Sequence, residues 1–318
     1  MQELELLILG AGWTSTFLIP LLRTHHLSYA ATTRDGRTVA GSKTIQWTFD
    51  PDEKEDSHHQ FSDLPLAKYV LITFPLTSAQ QSKTLVNGYL KTHDKTPSPA
   101  RFVQLGSTGI WQIPQKTLWV SRRSPYDTKN ARAIAEDEIL ASGGCVLNLA
   151  GLWGGARDPK TWVSRVAKTK EDVKSKKSLH MVHGLDVARA IVAVTSDWDK
   201  AKGQRWMLTD GFVYDWWALM VGWADVKNSD DGDAVAAEPS EQAKWAFELM
   251  KEEKVWALPR SMLALGRCYF GSEDLKIVRQ PEGALVCQVR RMFAPGGFLV
   301  DTENIDFHHS SWEHHWAT

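Results

Sequence analysis

The strongest constraint on this chain lies at its amino-terminal end, where Leu4 to Leu9 is a compact apolar run that stops at Gly10. An apolar run of this length, closed by a turn residue, fits a strand buried on both faces. It opens into Gly10-x-Gly12-x-x-Ser15, followed by a helical stretch from about Trp13 to His25. In such a turn the first glycine permits the tight bend and the second lets backbone approach a pyrophosphate. The helix beginning there adds N–H donors and a partial positive charge. Glycine is usual at the third position, for close helix–strand packing; Ser15 is a small-residue compromise. The turn predicts a dinucleotide site touched by Gly10, Gly12, Trp13, Thr14 and Ser15. Pro20 lies inside the stretch that follows, so a kink or an early helix turn is expected there.

The pattern repeats along the chain. Tyr29 to Thr33, Thr44 to Phe49, Tyr69 to Phe74, Arg101 to Leu105 and Cys145 to Leu149 are further strand candidates. Asn130 to Ala141 is rich in strong helix formers. Strands interleaved with helices imply crossovers and a parallel sheet. The expected fold class is α/β: a Rossmann-like doubly wound parallel sheet with helices on both faces and a smaller C-terminal substrate lobe. The core should occupy residues 1–200, with a lobe insertion near 153–178. Residues 201–318 should be mostly substrate lobe and C-terminal extension, not an independent domain. Arg205 to Leu208 is a short strand candidate, and Lys227 to Ser240 reads as a polar surface loop. Ser240 should cap a helix from Glu241 to Lys254, and Asp186 the helix containing VARAIVAV. The charge run from Lys168 to Lys177 reads as a solvated face.

Composition removes several classes of partner. The chain has 318 residues, 43% hydrophobic and 24% charged, with a formal charge of -1. That is a globular composition, long enough for a sizeable core. It creates no long-range field for nucleic acid or anionic membrane. No apolar run reaches the ~18 residues of a membrane span. Glu3 and Glu5 make the first residues a strand rather than a signal peptide. Cys145, Cys268 and Cys287 lack the spacing of a disulfide framework or a metal motif. The expectation is a cytoplasmic protein with a small-molecule substrate, no nucleic-acid or membrane partner and no metal. The pairs His308-His309 and His314-His315 read as adventitious surface groups. The 15 tryptophans supply large amphipathic surfaces. Trp13, Trp111 and Trp153 fall beside predicted site segments, which favours a bulky or apolar substrate, whereas Trp216-Trp217 reads as core.

The second strand of such a fold ends near the cofactor ribose, where an acid accepts the 2′-OH and an arginine accommodates a 2′-phosphate. Arg34, Asp35 and Arg37 stand there. A guanidinium can grip a phosphate through two parallel hydrogen bonds. Arg34, with Arg37 nearby, therefore makes NADP the expected cofactor, and Asp35 leaves NAD as the lesser alternative. Asp50, after the third strand, is either a carboxylate for the adenine amino group or a plain Asp-Pro turn.

Taken in order, several segments resemble the short-chain dehydrogenase/reductase superfamily, in its extended, NAD(P)-dependent epimerase/dehydratase-like branch. Within that branch they resemble the atypical YeeZ-type members. The segments are LGAGW (Leu9 to Trp13), TTRDG (Thr32 to Gly36), VLITFP (Val70 to Pro75), GSTGIW (Gly106 to Trp111) and LAGLWGGARDP (Leu149 to Pro159). VHGLDVARAI, Val182 to Ile191, lies behind the last, and the resemblance covers roughly residues 4 to 215.

The resemblance implies hydride transfer at a nicotinamide. A tyrosine acts as acid/base, a lysine four residues later lowers its pKa, and a serine or threonine polarises the substrate oxygen. A nearby cation is needed because an unperturbed tyrosine, with pKa about 10, is a poor base near neutrality. Carried over, the serine is Ser107, with Thr108 beside it, and the tyrosine is Tyr126. Asn130 occupies the lysine position, and Lys129 lies one residue short of it. On a helix both spacings lie near the tyrosine, although they differ by about 100° of rotation. Atypical members commonly lack this pair. The resemblance also puts Phe74, Pro75, Gly151, Leu152 and Trp153 near the cofactor, and Arg157 near an anionic group or in a surface turn. His183 has a mainly structural role in it. The implied function is an NADP(H)-dependent oxidoreductase or epimerase acting on a small organic molecule. A catalytically degenerate NAD(P)-binding regulator and a redox-neutral isomerase or cyclase are the alternatives.

Overall fold

Leu6 and Ile8 pack into one hydrophobic cluster and Leu7 and Leu9 into another. The amino-terminal run is thus a strand with both faces covered. The computed structural model describes residues 3–52, 59–94, 98–113, 119–223, 239–261, 265 and 268–269. The first elements are β1 (Leu4–Leu9), α1 (Trp13–Thr24), β2 (Tyr29–Thr33), β3 (Ile45–Gln46), β4 (Ala67–Ile72) and α2 (Ala79–Thr92). Next come β5 (Arg101–Ser107), β6 (Trp119–Val120), α3 (Ala131–Ala141), β7 (Cys145–Leu149) and β8 (Gly151–Trp153). α4 (Trp162–Val166), α5 (Lys170–Ser175), β9 (Ser178–Leu179), β10 (Met181–His183), α6 (Gly184–Ser196) and α7 (Trp198–Ala201) follow. The last are β11 (Arg205–Leu208), β12 (Tyr214–Asp215), α8 (Trp216–Gly222), α9 (Glu241–Glu252) and β13 (Cys268–Tyr269).

The central sheet has seven strands in the order β11-β7-β5-β4-β1-β2-β3, and every pairing is parallel. α1 and α6 pack together against the Leu6 face, and α2 and α3 against the Leu7 face. This is the doubly wound α/β arrangement expected from the sequence. β1 pairs with β2 on one side and β4 on the other, so the strand order reverses there. A reversal leaves a crevice beyond the carboxyl ends of the strands. The sheet also extends past residue 200, because β11 pairs with β7 in register Arg205↔Val146 to Leu208↔Leu149.

Three local expectations change. The strand expected over Thr44 to Phe49 pairs only at Ile45–Gln46. Beyond it Trp47 and Phe49 join an aromatic cluster with Phe61 and Phe74, and the Trp47 indole N–H donates to the Gln60 carbonyl at 2.7 Å. α1 runs on through Pro20, which is exposed and lies beyond the first turn. Buried Leu18, Ile19 and Leu22 hold the helix against the core and outweigh the ~3 kcal/mol cost of an interior proline. Finally, α6 starts earlier than expected. His183 is its N-cap, accepting from the Leu185 N–H through Nδ1 at 3.2 Å. Asp186 instead sits in the first turn and pairs with Arg189 at 3.0 Å.

The second lobe gathers α4, α5, α8 and α9 around Trp216 and Trp217. Both tryptophans are buried, as core packing requires. Arg260 ties the lobe together, pairing with Asp215 at 2.7 Å and donating to the Lys176 carbonyl at 2.8 Å. Ser240 caps α9 as expected. The Lys168 to Lys177 run contains α5, held by a Thr169–Asp172 capping box. No helix among the described residues is long and apolar enough to cross a membrane. Most of the 227–240 loop, Cys287 and both histidine pairs lie outside the described residues.

Candidate functional site

The two glycines of the turn are constrained by different things. Gly10 has φ 84°, and a Cβ there would lie 2.9 Å from Phe74 Cδ1 and 3.1 Å from Thr73 Oγ1. The protein itself therefore demands glycine. The Gly10 N–H donates to Thr32 Oγ1 at 3.0 Å, and Ala11 N–H to the Thr32 carbonyl at 2.6 Å. At Gly12 the nearest atom to an added Cβ is the Gly10 carbonyl oxygen at 3.9 Å, and the backbone is not left-handed. Among the described residues no contact requires glycine there. Gly12 is also the N-cap of α1, and no side chain caps that end. The helix terminus thus presents unshielded N–H groups to a place kept free of side chain, which suits an anion.

That place is a cavity of about 420 Å³ at the strand-order reversal. β1 and its turn contribute Gly10, Gly12, Trp13 and Thr14. Thr73, Phe74 and Pro75 follow β4, Leu105 to Ser107 end β5, and Leu149, Ala150 and Leu152 come from β7 and beyond. Arg132 and Arg157 complete the lining. Trp13 closes one side: its indole N–H donates to the Gly154 carbonyl at 3.0 Å, and the Arg157 guanidinium lies 4.4 Å over its ring. Phe17, His183 and Trp153 continue this contact in edge-to-face pairs at 5.1, 5.2 and 4.5 Å. The loop after β8 is thereby fastened to α1.

Ser107 faces the cavity with a specific polarity. Its Oγ accepts the Gly109 N–H at 3.1 Å, which leaves the hydroxyl proton available to a ligand oxygen. Thr108 is turned away: it is buried and donates to the Leu149 carbonyl at 3.3 Å. Behind Ser107 lies a buried polar network. Glu136 Oε1 accepts the Ser107 N–H at 3.3 Å, and Glu136 Oε2 accepts from Asn148 at 2.8 Å and Arg205 at 3.1 Å. Burial raises the Glu136 pKa against the opposing effects of Asn148 and Arg205.

The expected tyrosine–lysine geometry is corrected. Residues 126–130 are not helical, since α3 begins at Ala131 after an Asn130 cap. The helical argument for Tyr126 and Lys129 therefore does not apply. Neither residue lines the cavity. The Tyr126 hydroxyl donates to Asp137 at 2.7 Å, and Arg205 lies 4.4 Å over its ring. Burial and then the Asp137 contact raise its pKa, the opposite of what a base near neutrality requires. Lys129 is exposed, its backbone N–H donating to Asp127 at 2.9 Å.

The cofactor candidates divide as well. Gly10, Gly12, Trp13, Thr14, Phe74, Pro75 and Leu152 line the cavity; Ser15, Arg34, Arg37 and Asp50 do not. Ser15 is fully buried, with its hydroxyl making no hydrogen bond among the described residues. It therefore serves helix–strand packing. Beside β2, Arg37 holds Asp35 at 3.1 Å and lowers its pKa. Arg34 is exposed, with no ion pair among the described residues. Asp50 closes a turn by accepting the Asp52 N–H at 3.0 Å. Of the three tryptophans expected at the site only Trp13 lines the cavity. Trp111 is fully buried and donates to the Ser124 carbonyl at 3.1 Å, and Trp153 packs on His183. Arg132 also lines the cavity although its segment, Asn130 to Ala141, carries only a generic helical signal in the sequence. Among the described residues no cluster of histidine, cysteine or acidic side chains could hold a metal.

No protein-family model matches the sequence, and no curated protein matches it. Solved structures share its fold at low identity. One is described as a putative NAD-dependent epimerase/dehydratase from Methylobacillus flagellatus, with TM-score 0.53 and 14% identity over 88% of this chain and 94% of that one. Vestitone reductase from alfalfa has TM-score 0.53 and 16% identity over 79% and 99%. MoeE5, solved with UDP-glucuronic acid and NAD, has TM-score 0.51 and 14% identity over 82% and 96%. These likenesses establish the Rossmann-type α/β fold seen in such enzymes.

Proposed function

We propose that this chain is a nicotinamide-dinucleotide-dependent enzyme of oxidoreductase or epimerase type, with NADP favoured over NAD, acting on a small organic molecule. The observation that carries the reading is Gly12: an uncapped helix end and an absent side chain open together on the cavity. A nicotinamide, when bound, would exchange a hydride and its electron pair with a substrate carbon while the substrate oxygen gains or loses a proton. Gly12, Thr14 and the α1 terminus would receive the pyrophosphate, with Arg157 beside them. Arg34 would receive the 2′-phosphate, Asp35 being occupied by Arg37. Ser107 would donate its free hydroxyl proton to the substrate oxygen and stabilise charge building there. The proton itself would exchange with water, because among the described residues no Tyr, His, Lys, Asp or Glu lines the cavity.

Calorimetric titration with NADP and NAD tests the reading. NADP should bind more tightly, and Arg34→Gln should reduce that preference; no binding of either nucleotide refutes it. The lack of an acid/base among the described lining residues favours a second reading, a catalytically inactive dinucleotide-binding regulator. Stereospecifically labelled NADPH that keeps its label against a broad panel of carbonyl compounds would support that alternative.

A further inference from the structure

Among the described residues the cavity carries two guanidiniums and no carboxylate: Arg132 and Arg157 line it, and no described Asp or Glu does. Both arginines are exposed, and neither forms an ion pair among the described residues. Four arginines elsewhere are paired with acids, Arg37 with Asp35, Arg189 with Asp186, Arg205 with Glu136 and Arg260 with Asp215, whereas these two keep their charge for the cavity. Nearby acids are already engaged: Glu136, the acid nearest Arg132 in sequence, accepts from Asn148 at 2.8 Å and Arg205 at 3.1 Å. Asp127 accepts the Lys129 N–H and Asp158 the Lys160 N–H, each at 2.9 Å. Two like charges opening on one cavity form an incomplete electrostatic arrangement that anions would complete.

The two cations have different settings. Arg157 is stacked on Trp13, beside the α1 terminus and Gly12. A cofactor pyrophosphate accounts for it. Arg132 lies in the first turn of α3, whose N-cap Asn130 accepts the Arg132 N–H at 3.0 Å. It shares the cavity with Gly106 and Ser107, at the carboxyl end of β5. A dinucleotide therefore leaves Arg132 for another anion. Leu105, Leu149 and Leu152 give the cavity an apolar stretch of wall, beside the polar Thr14 and Thr73. A planar guanidinium matches a carboxylate through two parallel hydrogen bonds.

We propose that the substrate is a small organic acid, with its carboxylate held by Arg132 and its apolar body against Leu105, Leu149 and Leu152. This rests on the dinucleotide reading, because the cofactor must account for Arg157. A 2-oxo acid places an oxygen on the carbon next to the carboxylate and so supplies a partner for Ser107 as well.

The test is calorimetric titration of the full chain, first with NADP⁺ alone. Pyruvate, 4-methyl-2-oxopentanoate and phenylpyruvate are then each compared with the corresponding amide at saturating NADP⁺. At least one acid should bind about tenfold or more tightly than its amide, as a charged hydrogen-bond pair allows. Arg132→Gln should abolish that preference while leaving NADP⁺ affinity within about twofold, and Arg132→Lys should restore part of it. Equal binding of acid and amide across the panel, or a preference that survives Arg132→Gln, overturns the proposal. Failure of the first titration instead refutes the dinucleotide reading, and this proposal with it.

Discussion

The Asn148 side-chain amide donates to the Ser107 carbonyl at 3.0 Å while also donating to Glu136 at 2.8 Å. A buried carboxylate is thereby joined to the backbone of the residue that faces the cavity. With Glu136 also accepting the Ser107 N–H at 3.3 Å, both backbone polar groups of Ser107 are fixed from behind. Removing the amide should leave Glu136 short of a partner in a site that excludes water. Asn148→Leu is expected to destabilise the fold by about 2–3 kcal/mol, measured by urea denaturation. Gly106→Ala should cost as much or more, because an added Cβ would collide with the Glu136 carboxylate and lie 2.6 Å from Asn148 Nδ2.

The glycine turn gives a second test in which two similar substitutions should behave differently. Gly10→Ala forces an L-residue to φ 84° against Phe74 and should lower stability by about 1–3 kcal/mol. Gly12→Ala meets nothing closer than 3.9 Å, so its effect on stability should stay within about 0.5–1 kcal/mol. It should nonetheless weaken NADP binding by about tenfold or more, since the methyl would occupy the space left for the pyrophosphate. Thermal melts without ligand and calorimetry with NADP separate the two effects. Equal loss of stability in both variants would contradict the separate roles of the two glycines.

Much of this fold is legible in the sequence because it depends on local signals. The apolar run at Leu4 to Leu9, the glycines after it and the recurring strand runs define a parallel sheet and place its crevice. The site is less legible. Ser107 could be read because a small polar motif ends a strand there. The surroundings of Tyr126 could not, since they depend on Asp137, eleven residues later by its hydrogen-bond separation, and on Arg205 from a distant strand. The cap of α6 is His183 rather than Asp186, because the imidazole supplies an acceptor that residue preference alone ranks below aspartate. Arg132 carries no local signal; only the tertiary fold brings α3 to the end of β5.

Tyr126 provides the sharpest contrast with the tyrosine-based expectation. Its hydroxyl is given to Asp137 and its ring to Arg205, away from the cavity lining. Tyr126→Phe should cost about 1 kcal/mol of stability, the value of one hydrogen bond. It should leave NADP affinity and any turnover within about twofold of wild type, a change worth only ~0.4 kcal/mol. A loss of turnover by about a hundredfold or more at unchanged stability would return Tyr126 to a direct chemical role.

Asp210 makes stability depend on pH in a direction that can be worked out. Its carboxylate accepts the Tyr214 hydroxyl at 2.6 Å and the Phe212 N–H at 3.0 Å, yet burial pushes its pKa up to about 7. An unfolded aspartate titrates near pH ~3.9. Between about pH 4 and 7 the native state therefore holds more of this proton than the unfolded state does, and stability falls as pH rises. His180 acts in the opposite direction. Burial lowers its pKa to about 4, so its contribution rises with pH up to about 6.5. Comparing Asp210→Asn with wild type cancels the histidine effect, because both proteins retain it. Asparagine keeps the shape of the side chain but cannot ionise. Relative to wild type, the variant should gain about 1.4 kcal/mol for each pH unit between about 4 and 7, up to ~4 kcal/mol in total. The gain should level off above about pH 7.5. Urea denaturation of both proteins across this range measures the difference directly, and a flat difference would mean that Asp210 ionises in the folded protein as an ordinary surface carboxylate does.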